Sequence, residues 1–174
     1  MGRRYIHIFC GAGMGKTSAA LGKGVRAASE GKSVVVIQFL KEKKTENVEE
    51  FFKRLEPEIR LFRFEKFPEE YESLTERERE EENLNIKNGL NFARKVLQTE
   101  ECDVLILDEI LGLTDRGIVT AEELKKLIDM VGDETELYLT GNCRCEELWP
   151  YVDEVTEMGH RSAKESSRSK KMAA

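Results

Sequence analysis

The stretch Gly11-Ala12-Gly13-Met14-Gly15-Lys16-Thr17-Ser18 combines residue types at a spacing that suits phosphate chemistry. Glycines at alternate positions let the backbone curl until successive N–H groups point into one concavity, a nest for phosphate oxygens. A helix opening directly behind such a turn adds further N–H groups and the positive end of its dipole. In this arrangement Lys16 bridges phosphate oxygens and the Thr17 hydroxyl faces Mg2+. The general pattern G-x-x-x-x-G-K-[ST] asks for glycine where this chain has Cys10, so the loop is a contracted P-loop. A chance glycine-rich turn is the plain alternative; the apolar run before it and the helical pattern after it argue for nucleotide binding.

A second stretch, Cys102-Asp103-Val104-Leu105-Ile106-Leu107-Asp108-Glu109, places four aliphatic residues before an Asp-Glu pair. A buried strand of this kind delivers a carboxylate to its C-terminal edge, beside a P-loop, where Asp108 or Glu109 can hold Mg2+ or its water shell. The pair could otherwise cap the next helix. Together with the P-loop, the metal-binding reading is the stronger, with Thr17, Asp108 and Glu109 as candidate Mg2+ residues. The cysteines do not form a disulfide framework. Cys10 and Cys102 adjoin apolar runs as small buried thiols do. Cys143 and Cys145, with His160 downstream, fall short of the ligand number and spacing of a zinc site.

The elements that must position these groups alternate. Strands are expected at Tyr5–Phe9, Ser33–Phe39, Ile59–Phe64, Val104–Asp108, Glu136–Gly141 and Val152–Met158. Helices are expected at Lys16–Glu30, Thr45–Leu55 (Val48, Phe51, Phe52 and Leu55 inward), Asn85–Gln98 and Thr120–Val131, with a short one at Glu146–Trp149. Thr120 followed by Glu123 spells a capping box. Lys41–Lys44 reads as a basic turn. The glutamate-rich segment from Phe67 to Asn83 reads as a solvated loop and helix start, in which Phe67 and Tyr71 stand out as isolated aromatics. The Ile59–Phe64 run is less continuously apolar than Ser33–Phe39 and so belongs nearer an edge. The alternation implies an α/β fold with a mostly parallel sheet of five to six strands and helices on both faces, ligands binding at the carboxyl ends of the strands.

The chain has 174 residues and a net charge of −6. Residues 1–160 are expected to form one P-loop nucleotide-binding domain and 161–174 a basic, disordered tail. The acidic balance argues against broad binding to nucleic acid. No apolar run is long enough to span a membrane and no charged-then-apolar leader precedes Tyr5, so a cytoplasmic location is expected.

One resemblance covers roughly residues 5–158. The contracted loop, then Gly31-Lys32-x-Val34-x-Val36-x-Gln38-Phe39-Leu40-Lys41, resembles the ATP:corrinoid adenosyltransferase family, whose members carry Gly-Lys-x-Val-x-Val-Val-Gln-Phe-Ile-Lys after a similar loop. The likeness continues through Val104–Leu111 and through Val152-Asp153-Glu154-Val155-Thr156-Glu157-Met158. It implies a three-layer P-loop NTPase (RecA-like) fold and an enzyme that moves the 5′-deoxyadenosyl group of ATP to the Co(I) of a reduced corrinoid. Gly11 to Ser18 would then hold ATP, and Lys16, Phe67 and Glu109 would be catalytic. In this likeness Phe67, in the loop after the third strand, helps displace the lower axial ligand of cobalt, with Tyr71 assisting. The likeness further implies a homodimer and a flavoprotein reductase that supplies Co(I). The family's Thr-Gly-Arg is Thr140-Gly141-Asn142 here, which leaves Arg144 as the substitute cation. A small-molecule kinase or NTPase, and a non-catalytic ATP- or corrinoid-binding protein, are the alternative readings.

Overall fold

The computed structural model describes residues 3–40 and 46–163. Its strands are β1 Tyr5–Cys10, β2 Val34–Phe39, β3 Ile59–Phe64, β4 Val104–Asp108, β5 Glu136–Thr140 and β6 Glu154–Glu157. They form one 6-stranded sheet in the order β3-β2-β4-β5-β1-β6, and every neighbouring pair is parallel. β3 is an edge strand, as its mixed composition implies. β2 and β4 are apolar except for Gln38 and Asp108 and are buried along their whole length, as strands covered on both faces must be.

The helices are α1 Lys16–Ser29, α2 Glu46–Lys53, α3 Glu76–Gln98, α4 Gly112–Asp115 and α5 Ala121–Asp129. Two apolar clusters show how they layer. Ala20 and Ala27 of α1 and Phe52 of α2 pack on Val34, Val36, Val104 and Ile106. On the other face, Ile86, Leu90 and Ala93 of α3 and Leu124, Leu127 and Ile128 of α5 meet Val35, Ile37, Leu105 and Leu107. The alternation along each strand therefore feeds two cores, and the α/β three-layer architecture follows from it.

Two local expectations need correction. α3 begins at Glu76, not near Asn85. Thr75 opens it with a full capping box: the Glu78 amide donates to Thr75 Oγ1 (3.3 Å) and the Thr75 amide to Glu78 Oε2 (2.8 Å). The first turns escaped the periodicity argument because their buried position is a carboxylate, Glu82, while Leu84 points to solvent. Phe51 of α2 is 47% exposed and only Phe52 is buried. Glu146–Tyr151 is a 3-10 helix, and the short α4 carries no periodic signal at all. The basic turn Lys41–Lys44, Thr45 and residues 164–174 of the tail lie outside the described residues.

α3 crosses the sheet so closely that a Cβ on Gly89 would lie 2.7 Å from both Phe39 Cε1 and Phe64 Cγ. Alanine in a helix gains up to about 1 kcal/mol over glycine, whereas overpacking against two rings costs about 1–3 kcal/mol. The clash should win: Gly89→Ala is expected to lower stability by about 1–2 kcal/mol in urea titrations, with an unchanged m-value. A stabilised variant would mean that the α3–sheet spacing is looser than described.

Candidate functional site

The P-loop is built by two strands. β1 runs one residue further than the general pattern requires, because Cys10 still pairs with Glu157 of β6. The chain after β6 then lies along the loop: Met158 N–H donates to Cys10 O and Gly13 N–H donates to Met158 O, both at 2.8 Å. A Cβ on Gly11 would meet Met158 O at 2.5 Å, and one on Gly13 would meet Gly159 O at 2.6 Å. These glycines are thus demanded by close backbone approach as well as by curvature, Gly11 having φ 101. Gly15, φ 100, is the N-cap of α1 and contributes no side-chain acceptor. Lys16 is buried and its ammonium donates to Gly13 O (2.6 Å). Ala12, Met14 and Ser18 are exposed.

At the carboxyl ends of the strands the structure sets a polar row across the sheet. Arg63 of β3 is in register with Gln38 of β2, which is in register with Asp108 of β4. Arg63 Nε donates to Gln38 Oε1 (3.0 Å), and Gln38 Nε2 donates to Asp108 Oδ2 (3.0 Å). Thr17 Oγ1 (2.8 Å) and Thr140 Oγ1 (2.7 Å) both donate to Asp108 Oδ1. Asp108 is fully buried, so these donors carry the burden that water would otherwise bear. Thr140 Oγ1 also accepts the amide of Glu109 (2.9 Å). Glu109 has φ 64, a left-handed conformation uncommon for a residue with a side chain, and turns the chain out of β4.

Gln38, Thr140 and Arg63 were not among the residues singled out for chemistry. The signal for Gln38 was present: it is the one polar residue in Val34-Val35-Val36-Ile37-Gln38-Phe39, an otherwise apolar buried strand. Thr140 ends β5 and Arg63 stands one residue before the end of β3, as many polar residues do, and only the register reveals them.

Phe67 lies at the same edge of the sheet, in a recess lined by Leu40, Phe67, Tyr71, Leu74, Glu82 and Arg116. Its loop is pinned from α3: Glu82, 1% exposed, accepts the main-chain amides of Lys66 (2.9 Å) and Phe67 (3.0 Å). The Tyr71 hydroxyl donates to Asn83 Oδ1 (2.9 Å), and the Arg79 and Arg116 guanidinium groups lie 5.6 and 6.0 Å from its ring centre. Arg116 also pairs with Glu72 (2.8 Å), which holds the Glu72 carboxyl below its usual range. Arg144 is engaged by Glu146 (2.8 Å) and Glu157 (3.2 Å) and lies over Trp149. Among the described residues no group of three or more His, Cys, Asp or Glu side chains is placed to hold a metal. A hydroxyl, one or two carboxylates and phosphate oxygens would suit Mg2+, which keeps part of its water shell.

Comparison with known proteins gives the chain its relatives. The family model described as ATP:corrinoid adenosyltransferase BtuR/CobO/CobP matches residues 2–171. The corrinoid adenosyltransferase of Escherichia coli (strain K12) is 25% identical over 156 residues, covering 90% of this chain and 76% of that protein. An uncharacterised protein of Nostoc sp. is 28% identical over 169 residues, 88% of this chain but only 43% of the relative's length. Among solved structures, a KaiC-like protein of Pyrococcus horikoshii superposes with a TM-score of 0.58 at 17% identity, covering 93% of this chain and 75% of that one. This last likeness is one of fold.

The hydrogen bonds of Thr140 generate a prediction. Thr140→Val keeps the shape but removes both a donor to a buried carboxylate and the acceptor for the Glu109 amide, and should cost about 1–3 kcal/mol of unfolding free energy. Thr140→Ser should lose less than about 1 kcal/mol, having only a methyl group to lose. Equal denaturant midpoints for the valine variant and the parent would remove Thr140 from the Asp108 network.

Proposed function

The chain belongs to the ATP:corrinoid adenosyltransferase family, and from that premise we propose that it transfers the 5′-deoxyadenosyl group of ATP to the Co(I) of a reduced corrinoid and releases triphosphate. The observation that carries the reading is the Thr17–Asp108 hydrogen bond, which joins the first helical turn behind the P-loop to the end of β4 across the intervening β5.

The chemistry asks little covalent work of the protein. The electron pair of Co(I) attacks C5′, a cobalt–carbon bond forms, the C5′–O bond breaks, and its electrons leave with the triphosphate. The protein's task is positioning and charge stabilisation. In the proposed site, the loop Gly11 to Ser18 cradles the triphosphate with those of its amides that the Met158 clamp leaves unused, the Gly13 amide being held by Met158 O, and Lys16 exchanges the Gly13 carbonyl for a phosphate oxygen. Thr17, Asp108 and Glu109 would hold Mg2+, which would neutralise phosphate charge. Phe67, on its pinned loop beside the recess, would face the corrinoid and displace its lower ligand, with Tyr71 next to it. Residues 1–160 would act as one nucleotide-binding domain, as a homodimer in the cytoplasm, with Co(I) delivered by a flavoprotein reductase.

Two variants test the assignment of roles. Lys16→Ala should weaken ATP binding about 30-fold or more in calorimetric titration, the usual effect of truncating one partner of a buried charged pair. Unchanged affinity would take the triphosphate out of the P-loop. Phe67→Ala should slow adenosylation of cobalamin about tenfold more than that of a corrinoid lacking the lower base, a difference of about 1.4 kcal/mol in barrier. Equal slowing of both would deny Phe67 the axial-ligand role.

A further inference from the structure

Adenosyl transfer has no use for the two thiols of Cys143-Arg144-Cys145, yet the structure brings them together. Both are free cysteines, and their sulfurs are 2.9 Å apart. Side chains two residues apart on extended backbone share a face but stand roughly 6.6 Å apart along the chain. The left-handed turn at Cys145, φ 45, closes that gap. Thr114 Oγ1 contacts both sulfurs, Cys143 at 3.3 Å and Cys145 at 3.0 Å, and so holds the two on one side of the turn. A metal does not account for the pairing, since no third ligand of the His, Cys, Asp or Glu type completes a site among the described residues.

We propose that Cys143 and Cys145 form a redox-active dithiol, closed to an intramolecular disulfide by a low-molecular-weight disulfide oxidant such as oxidised glutathione. The sulfur separation is about 1 Å longer than a disulfide bond, so closure needs a small local movement. The environments of the two thiols set the order of events. Cys145 is 5% exposed, and burial, reinforced by the neighbouring Cys143 sulfur, pushes its thiol up to about 12. Cys143 is partly exposed and is the sulfur an oxidant reaches first. Its thiolate attacks one glutathione sulfur and releases the other half as thiolate. Cys145 then displaces the bound glutathione from Cys143, and its proton leaves with that second glutathione thiol. Two protein thiols are oxidised and one glutathione disulfide is reduced to two thiols. The ring that forms encloses Arg144, whose guanidinium pairs with Glu157, the residue before the Met158 clamp on the P-loop.

The test uses the full chain, reduced and then incubated with oxidised glutathione, alkylated after denaturation and mapped by peptide mass. The expected product has lost two hydrogen atoms in the peptide spanning Cys143 and Cys145, regains them with dithiothreitol, and leaves Cys10 and Cys102 alkylated. Cys145→Ser should trap glutathione on Cys143 as a stable mixed disulfide. A parent protein that stays fully reduced, stops at a glutathione adduct, or forms a Cys10–Cys143 bridge instead would overturn the proposal.

Discussion

The carboxylate of Asp108 has no solvent exposure, and it accepts hydrogen bonds from Thr17, Thr140 and Gln38. A carboxyl group taken out of water without hydrogen-bond partners costs several kcal/mol, and donors in a fixed geometry are what make the burial of Asp108 tolerable. Those donors come from α1, β5 and β2, so the position of one side chain ties together four elements of the sheet's carboxyl edge. Arg63 extends the row by orienting the Gln38 amide, which leaves its nitrogen facing Asp108. A slip of one residue in any of these strands would turn its member of the row to the opposite face. The register of the sheet and the geometry of the site are therefore one constraint.

The contracted loop has a similar logic. In place of an early glycine, the chain keeps Cys10 in β1, where it pairs with β6, and the curl begins one residue later. β6 in turn continues past the end of the sheet to bond the loop at Cys10 and Gly13. The loop is thus held from outside by backbone, and a side chain at Gly11 or Gly13 would collide with that backbone. The segment that follows β6 is in this way part of the P-loop, and the motif around Met158 has a structural reason to exist.

Much of this was legible in the residues. Apolar runs of β-branched residues marked β2 and β4, the Thr120–Glu123 capping box marked the start of α5, and the placement of β3 at an edge followed from its arginines. The P-loop and the Asp108-Glu109 end of β4 were recognisable because glycine spacing and an aliphatic run ending in acid are local signals. What stayed hidden was non-local. Glu82 looked like one more glutamate in a charged stretch, yet it is buried because two main-chain amides of another loop need an acceptor. Thr140 and Arg63 acquire meaning only from the strands beside them. The thiols of Cys143 and Cys145 carried a spacing unsuited to zinc, and no sequence rule anticipates a left-handed Cys145.

The central proposal is that this loop, with Thr17, Asp108 and Glu109, holds ATP for displacement at C5′ by cobalt. The most direct measurement is anaerobic: mix the protein with MgATP and chemically reduced cobalamin, follow the loss of Co(I) absorbance, and assay the inorganic product. The account predicts a cobalt–carbon bond formed with one triphosphate released per adenosyl group transferred. Release of ADP or of single phosphate, or tight ATP binding with no reaction on cobalamin or cobinamide, would contradict it.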